Sequence, residues 1–145
     1  MILFSSEIEF ELINITKMNK FIIDVANKKI FLMIITSSNI YNTTHENTKI
    51  NYEKLTTIIN DFLISCNLKL PDIDAIYVNR GPGSFAGIRN SLSVVKAFNL
   101  GKKIDYYCYS VNDFKGEEDI SYENIPNLCD KFKIKKNLIN PIYIS

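Results

Sequence analysis

The chain has 145 residues, 46% of them hydrophobic, and a formal net charge of +1 at pH 7. That fits one globular domain whose core needs no disulfide staple, and it excludes the strongly basic field with which a domain grips a long stretch of nucleic acid unaided. A single histidine, His45, excludes H-x-x-x-H and H-E-x-x-H metal sites, and Cys66, Cys108 and Cys129 form no C-x-x-C pair and read as reduced core thiols of a cytoplasmic protein.

Residues 1–17 alternate weakly, with Ile8, Phe10 and Leu12 set against Glu7, Glu9 and Glu11. That is the period of a strand with one buried face, read here as an extension ahead of Met18. The opening lacks the basic and long apolar regions of a signal peptide, and no apolar run approaches the roughly 20 residues of a membrane span. Residues 21–26 read as a buried strand, 27–29 as a turn and 30–35 as the returning strand of a hairpin. Residues 37–41 add a third, shorter strand, and 43–48, with His45, read as a polar loop.

From 50 to 66 the apolar positions Leu55, Ile58, Ile59, Phe62 and Cys66 fall on one helical stripe. Residues 74–79 are a strand, 80–86 a Gly/Pro turn, 85–100 a second helix closed by Gly101, and 104–109 a fifth strand. The order β-β-β-α-β-α-β joins hairpins to crossovers. It therefore predicts an α/β fold: a mixed five-stranded sheet with helices on its faces, the pattern of a ribonuclease-H-like or actin-type ATPase half-domain. Beyond Phe114 the chain is charged and aperiodic. It shows a weak helical period at 128–134 and an extended close at 138–144, which Pro141 keeps at a sheet edge.

The most specific segment is NRGPGSFAGIR at 79–89, which follows a strand and opens a helix. Gly81 and Gly83 permit positive φ on either side of Pro82, and Ser84 stands where an N-cap belongs. Gly87, one turn in, costs about 1 kcal/mol against alanine, which points to close approach of a backbone or a ligand. Gly81-x-Gly83-x-x-Ala86 satisfies the dinucleotide fingerprint but lies outside a first βαβ unit, and Asp105 sits near the start of its strand rather than the end. No pair of glycines has P-loop spacing. The remaining reading is a tight strand-to-helix turn with incidental anion affinity at Gly81, Pro82, Gly83, Ser84 and Gly87.

GPGSFAGIR at 81–89 resembles the GPGSFTGLR signature of the TsaB (YeaZ-type) family, with Ala86 in place of threonine. DIDAI at 72–76 is similar to the family's approach to that strand, and FIIDVA at 21–26 stands where the family has its first strand. SVNDF at 110–114 lies near its GVSTL segment, and NPIYI at 140–144 resembles its EPVYLR close. The chain is identified as a shortened member of this family, within the Gcp-like or peptidase M22-like superfamily. The resemblance implies an extension at 1–17, a ribonuclease-H-like domain at 18–114 and a short remnant of a C-terminal domain at 115–145. The loss of the second half is expected to leave an exposed face for a partner to cover.

The resemblance further implies a non-catalytic scaffold with no catalytic residue and no metal. It pairs with a TsaD-like catalytic subunit that transfers threonylcarbamoyl to adenosine 37 of tRNA. A TsaE-like ATPase is a further partner, tRNA is met only indirectly, the chain alone forms a homodimer, and no cofactor is held beyond weak ATP or ADP binding in the complex. The implied interface comprises Phe85, Ile88, Arg89, Leu92, Val95 and Lys96 on the second helix with Leu55, Ile58 and Phe62 on the first. The alternative is that these aliphatics pack on their own sheet. Two other functions compete: a degenerate ATP-binding or ATP-hydrolysing protein, with Asp24 as its carboxylate, and a homodimeric interaction module.

Overall fold

The computed structural model describes residues 18–143; the strand and extension expected at 1–17 lie outside the described residues. Five strands form one sheet in the order β3-β2-β1-β4-β5. Strands β1 (Lys20–Asp24), β2 (Lys29–Ile35) and β3 (Ile40–Glu46) run antiparallel to one another, whereas β4 (Ala75–Asn79) and β5 (Asp105–Tyr109) continue the sheet parallel to β1. Helices α1 (Lys49–Glu53) and α2 (Leu55–Ser65) connect β3 to β4, α3 (Phe85–Lys102) connects β4 to β5, and α4 (Ile125–Lys131) follows. This is the ribonuclease-H-like half-domain, with a mixed five-stranded sheet, that the element order predicts.

Alternation along β1 divides two cores. Phe21 and Ile23 join Ile76, Val78, Leu92 and Val95 beneath α2 and α3, while Ile22 joins Met33, Tyr77, Tyr109, Phe114 and Leu128 beneath α4. Residues 114–134 thus cover the second face of the sheet and share its core.

Four local expectations are corrected. The third strand is seven residues long and contains His45, which pairs with Ile30. Ladder hydrogen bonds from β2 outweigh its polar composition. The first helix divides at Lys54, and Thr48 caps the leading piece by accepting from the Asn51 amide. Gly101 lies inside the last turn of α3, and the left-handed residue that ends the helix is Lys103, at φ 57°. The Asn99 side chain secures that end by donating to the Ile104 carbonyl at 3.0 Å. The late helical turn spans Ile125–Lys131 rather than 128–134, because Pro126 suits a first helical turn.

Candidate functional site

The parallel strands β1, β4 and β5 end together, and the glycine-proline corner begins there. Asn79, the last residue of β4, is buried. Its Nδ2 donates to Asp24 at 3.1 Å and its Oδ1 accepts from the Gly81 amide at 2.9 Å, so one side chain ties the end of β1 to the turn. Gly81 has φ 108°, a conformation open to glycine. Gly83 does not share it, contrary to the expectation of positive φ on both sides of Pro82; what Gly83 supplies is space. A Cβ on Gly83 would overlap the Ala26 carbonyl, and one on Gly87 would overlap the Val25 carbonyl. The Ser84 amide donates to the Ala26 carbonyl at 3.0 Å, and the Ser84 hydroxyl caps α3 by accepting from Gly87 at 3.2 Å. The close approach that the costly Gly87 points to is therefore that of the protein's own backbone at Val25, just past β1.

Asp24 is 3% exposed and meets four donors. They are the Ala26 amide at 3.0 Å, the Asn27 side chain at 3.3 Å, the Asn79 side chain at 3.1 Å and the Tyr122 hydroxyl at 2.8 Å. Oδ2 accepts from Asn79 and Tyr122, Oδ1 accepts from Ala26, and Asn27 lies 3.3–3.4 Å from both oxygens. Burial, then the Asp24 charge, pushes the phenols of Tyr122 and Tyr109 above the ordinary tyrosine value. Beside the corner lies an open cleft of about 870 Å³ bordered by Lys28, Phe31, Asn47, Tyr52, Ser84 and Tyr122, with Phe31 and Tyr122 stacked at 4.0 Å.

The turn residues Gly81, Pro82, Gly83, Ser84 and Gly87 gather at this one corner. The residues implied for an interface do not share one surface. Ile88, Leu92 and Val95 are buried under α3, as are Leu55 and Phe62 under α2, and Ile58 is half-buried against the same core. For these aliphatics the alternative, packing on their own sheet, is what the structure has. Phe85, Arg89 and Lys96 face outward, with Phe85 54% exposed. Residues 88, 92 and 95 recur at the spacing of one helical face, and 85, 89 and 96 at that of the flank beside it, about 70° around the helix at 100° per residue.

Sequence reasoning missed Asn79, Tyr122 and the Arg80–Asp113 ion pair, 2.7 Å long. Only Asn79 carried a local signal, as an asparagine two residues before a turn glycine. Among the described residues no three His, Cys, Asp or Glu side chains converge as metal ligands, and no helix is long and apolar enough to cross a membrane.

Residues 45–117, half of the chain, match the family model described as TsaD: tRNA N6-adenosine threonylcarbamoyltransferase. Among solved structures the chain is similar to YeaZ from Pseudomonas aeruginosa, with a TM-score of 0.60 and 19% identity, over 64% of this chain and 44% of that one. It is equally similar, with a TM-score of 0.60 and 19% identity, to an uncharacterized protein with similarity to peptidase YeaZ from Pseudomonas aeruginosa, over 64% of this chain and 43% of that one. At that identity the likeness is one of fold, and the chain spans less than half the length of either structure. No curated protein sequence matches the chain.

Proposed function

The chain belongs to the family of TsaD-type tRNA threonylcarbamoyladenosine proteins, and from that premise we propose that it is a scaffold subunit of this modification system, performing no reaction itself. In this reading α3 pairs with a TsaD-like catalytic subunit, which transfers threonylcarbamoyl to adenosine 37 of tRNA in the cytoplasm. A TsaE-like ATPase and the tRNA meet the assembly through that subunit, and any ATP or ADP binds weakly and only in the complex.

The observation that carries this reading is the division of α3 into two faces. Ile88, Leu92 and Val95 hold the helix on its sheet, which leaves Phe85, Arg89 and Lys96 free to meet another protein. An exposed aromatic beside an arginine is the composition of an interface anchor. The non-catalytic half of the reading draws on Asp24: a buried carboxylate already held by four donors is a poor metal ligand until its partners leave.

Calorimetric titration of the chain with the TsaD-like subunit of the same organism tests the pairing. Association at micromolar concentration is expected, weakened at least tenfold by Phe85→Asp or Arg89→Glu. No association of the unaltered chain overturns it. Titration with ATP and magnesium addresses the competing reading as a degenerate ATPase, which takes its support from the cleft beside Lys28 and Ser84; tight binding by the isolated chain favours that reading instead.

A further inference from the structure

The last described stretch of the chain is pinned to both ends of α3. Near the end of the helix the Asn99 side chain donates to Asn137 at 3.3 Å. At its start the ring of Phe85 lies 4.7 Å from that of Tyr143. The helix from Phe85 to Asn99 is about 21 Å long at 1.5 Å per residue. The six residue steps from Asn137 to Tyr143 reach about 20 Å when extended. The two lengths match, so the tail spans the interval between the two ends of α3; it starts on the edge strand β5, where Lys136 bridges Tyr107 and the Asn137 amide donates to the Tyr106 carbonyl at 2.7 Å. Arg80 holds it on the way: its Nη1 donates to the Asn140 carbonyl at 3.1 Å, and its own carbonyl accepts from the Ile142 amide at 2.7 Å.

This arrangement adds Leu138, Ile139 and Tyr143 to the Phe85 and Leu100 that α3 already exposes, each 37% to 71% accessible. The charges around them are mostly of one sign, with Asp105 the exception. Helix α3 carries Arg89, Lys96 and Lys102 and no acidic residue, and residues 135–143 carry Lys135 and Lys136 and no acidic residue. Of these, only Lys136 has a carboxylate within 4 Å among the described residues, that of Asp105 at 3.7 Å. A second copy docking through this face would set like charge against like, so the face disfavours self-association. Five exposed apolar side chains suit a protein surface and have no use on a phosphate backbone.

Resting on the scaffold reading above, we propose that α3 and the tail at 137–143 form one docking surface. Its occupant is the TsaD-like subunit, through a patch that is apolar at its centre and rimmed by carboxylates. The tail is thus half of the interface, not a trailing end.

The test is calorimetric titration of the full chain with that subunit, using the unaltered protein, a Leu138→Asp/Ile139→Asp variant, a milder Leu138→Ser/Ile139→Ser variant and Lys96→Glu. Thermal melting checks that each folds. The tail variants are expected to bind at least tenfold more weakly with melting unchanged, and Lys96→Glu to weaken binding and flatten its salt dependence. Tail variants that bind like the unaltered chain overturn the composite surface and leave the scaffold reading standing. An unaltered chain that fails to bind sinks both. Variants that bind the subunit normally but lose tRNA in a filter-retention assay make this an RNA face and overturn the proposal.

Discussion

The Tyr122 hydroxyl donates a 2.8 Å hydrogen bond to the Asp24 carboxylate, joining positions 98 residues apart. The same ring stacks on Phe31. One side chain therefore fastens the layer over the second face of the sheet to both β1 and β2, and it completes the set of donors around a buried charge. Replacing Tyr122 with phenylalanine keeps the stacking and deletes the bond. Hydrogen bonds to charged groups contribute about 1.5–3 kcal/mol, so urea unfolding of Tyr122→Phe is expected to show a loss of that order. No change would mean that the bond contributes nothing in solution.

Two glycines in or beside α3 are expected to respond in opposite directions. Gly87→Ala forces a methyl into the Val25 carbonyl, and overpacking of this kind costs about 1–3 kcal/mol or more. Gly101 lies in the last turn of the same helix with nothing within 4 Å of an added Cβ. Gly101→Ala is expected to stabilise by up to about 1 kcal/mol through helix propensity. Thermal unfolding of the pair separates a glycine required by packing from one that is not.

Burial pushes the Cys108 and Cys129 thiols up to about 12 from an ordinary 9.0. A folded-state value above the unfolded one means stability that is complete below pH 9 and lost as pH rises toward 12, because the unfolded thiols release protons first. The slope is about 1.4 kcal/mol per pH unit for each thiol well inside that window. Denaturant midpoints between pH 8 and 10.5 are expected to fall, and less steeply in Cys108→Ala/Cys129→Ala. The buried phenols act in the same direction above pH 10. Alkylation of Cys108 and Cys129 in the folded protein at pH 8 is expected to be slow.

Arg80 and Asp113 form an ion pair with side chains 14% and 21% exposed. Asp113 also closes the turn at Val111–Asp113 by accepting from the Ser110 amide at 2.8 Å. Breaking a fully buried pair by removing one partner costs about 3–5 kcal/mol, and an exposed pair is worth about 1 at most. Arg80→Met lies between, at about 2 kcal/mol. Because Arg80 also grips Asn140, hydrogen exchange at the Ile142 amide is expected to quicken more than exchange in β1. Equal quickening at both would mean that the tail is held by something else.

The strands at 20–24, 29–35, 75–79 and 105–109 and the long helix at 85–102 were legible because alternation and helical period are local properties of the chain. His45 was misread because a polar edge strand carries almost no apolar signal, and its pairing with Ile30 is what makes it a strand. Asn79 and Tyr122 escaped because their roles lie in contacts with Asp24, 55 and 98 positions away.

What the sequence determined by itself is the order of elements and the chemistry of the corner at 79–89, since glycine, proline and a capping serine act on the backbone within a few residues of themselves. Only the tertiary structure decided which side of α3 is spent on its own sheet and which is free, and that the tail links its two ends. Burial depends on which surface a helix rests against, and the periodicity that makes residues 85–102 a helix is silent about what lies beneath it.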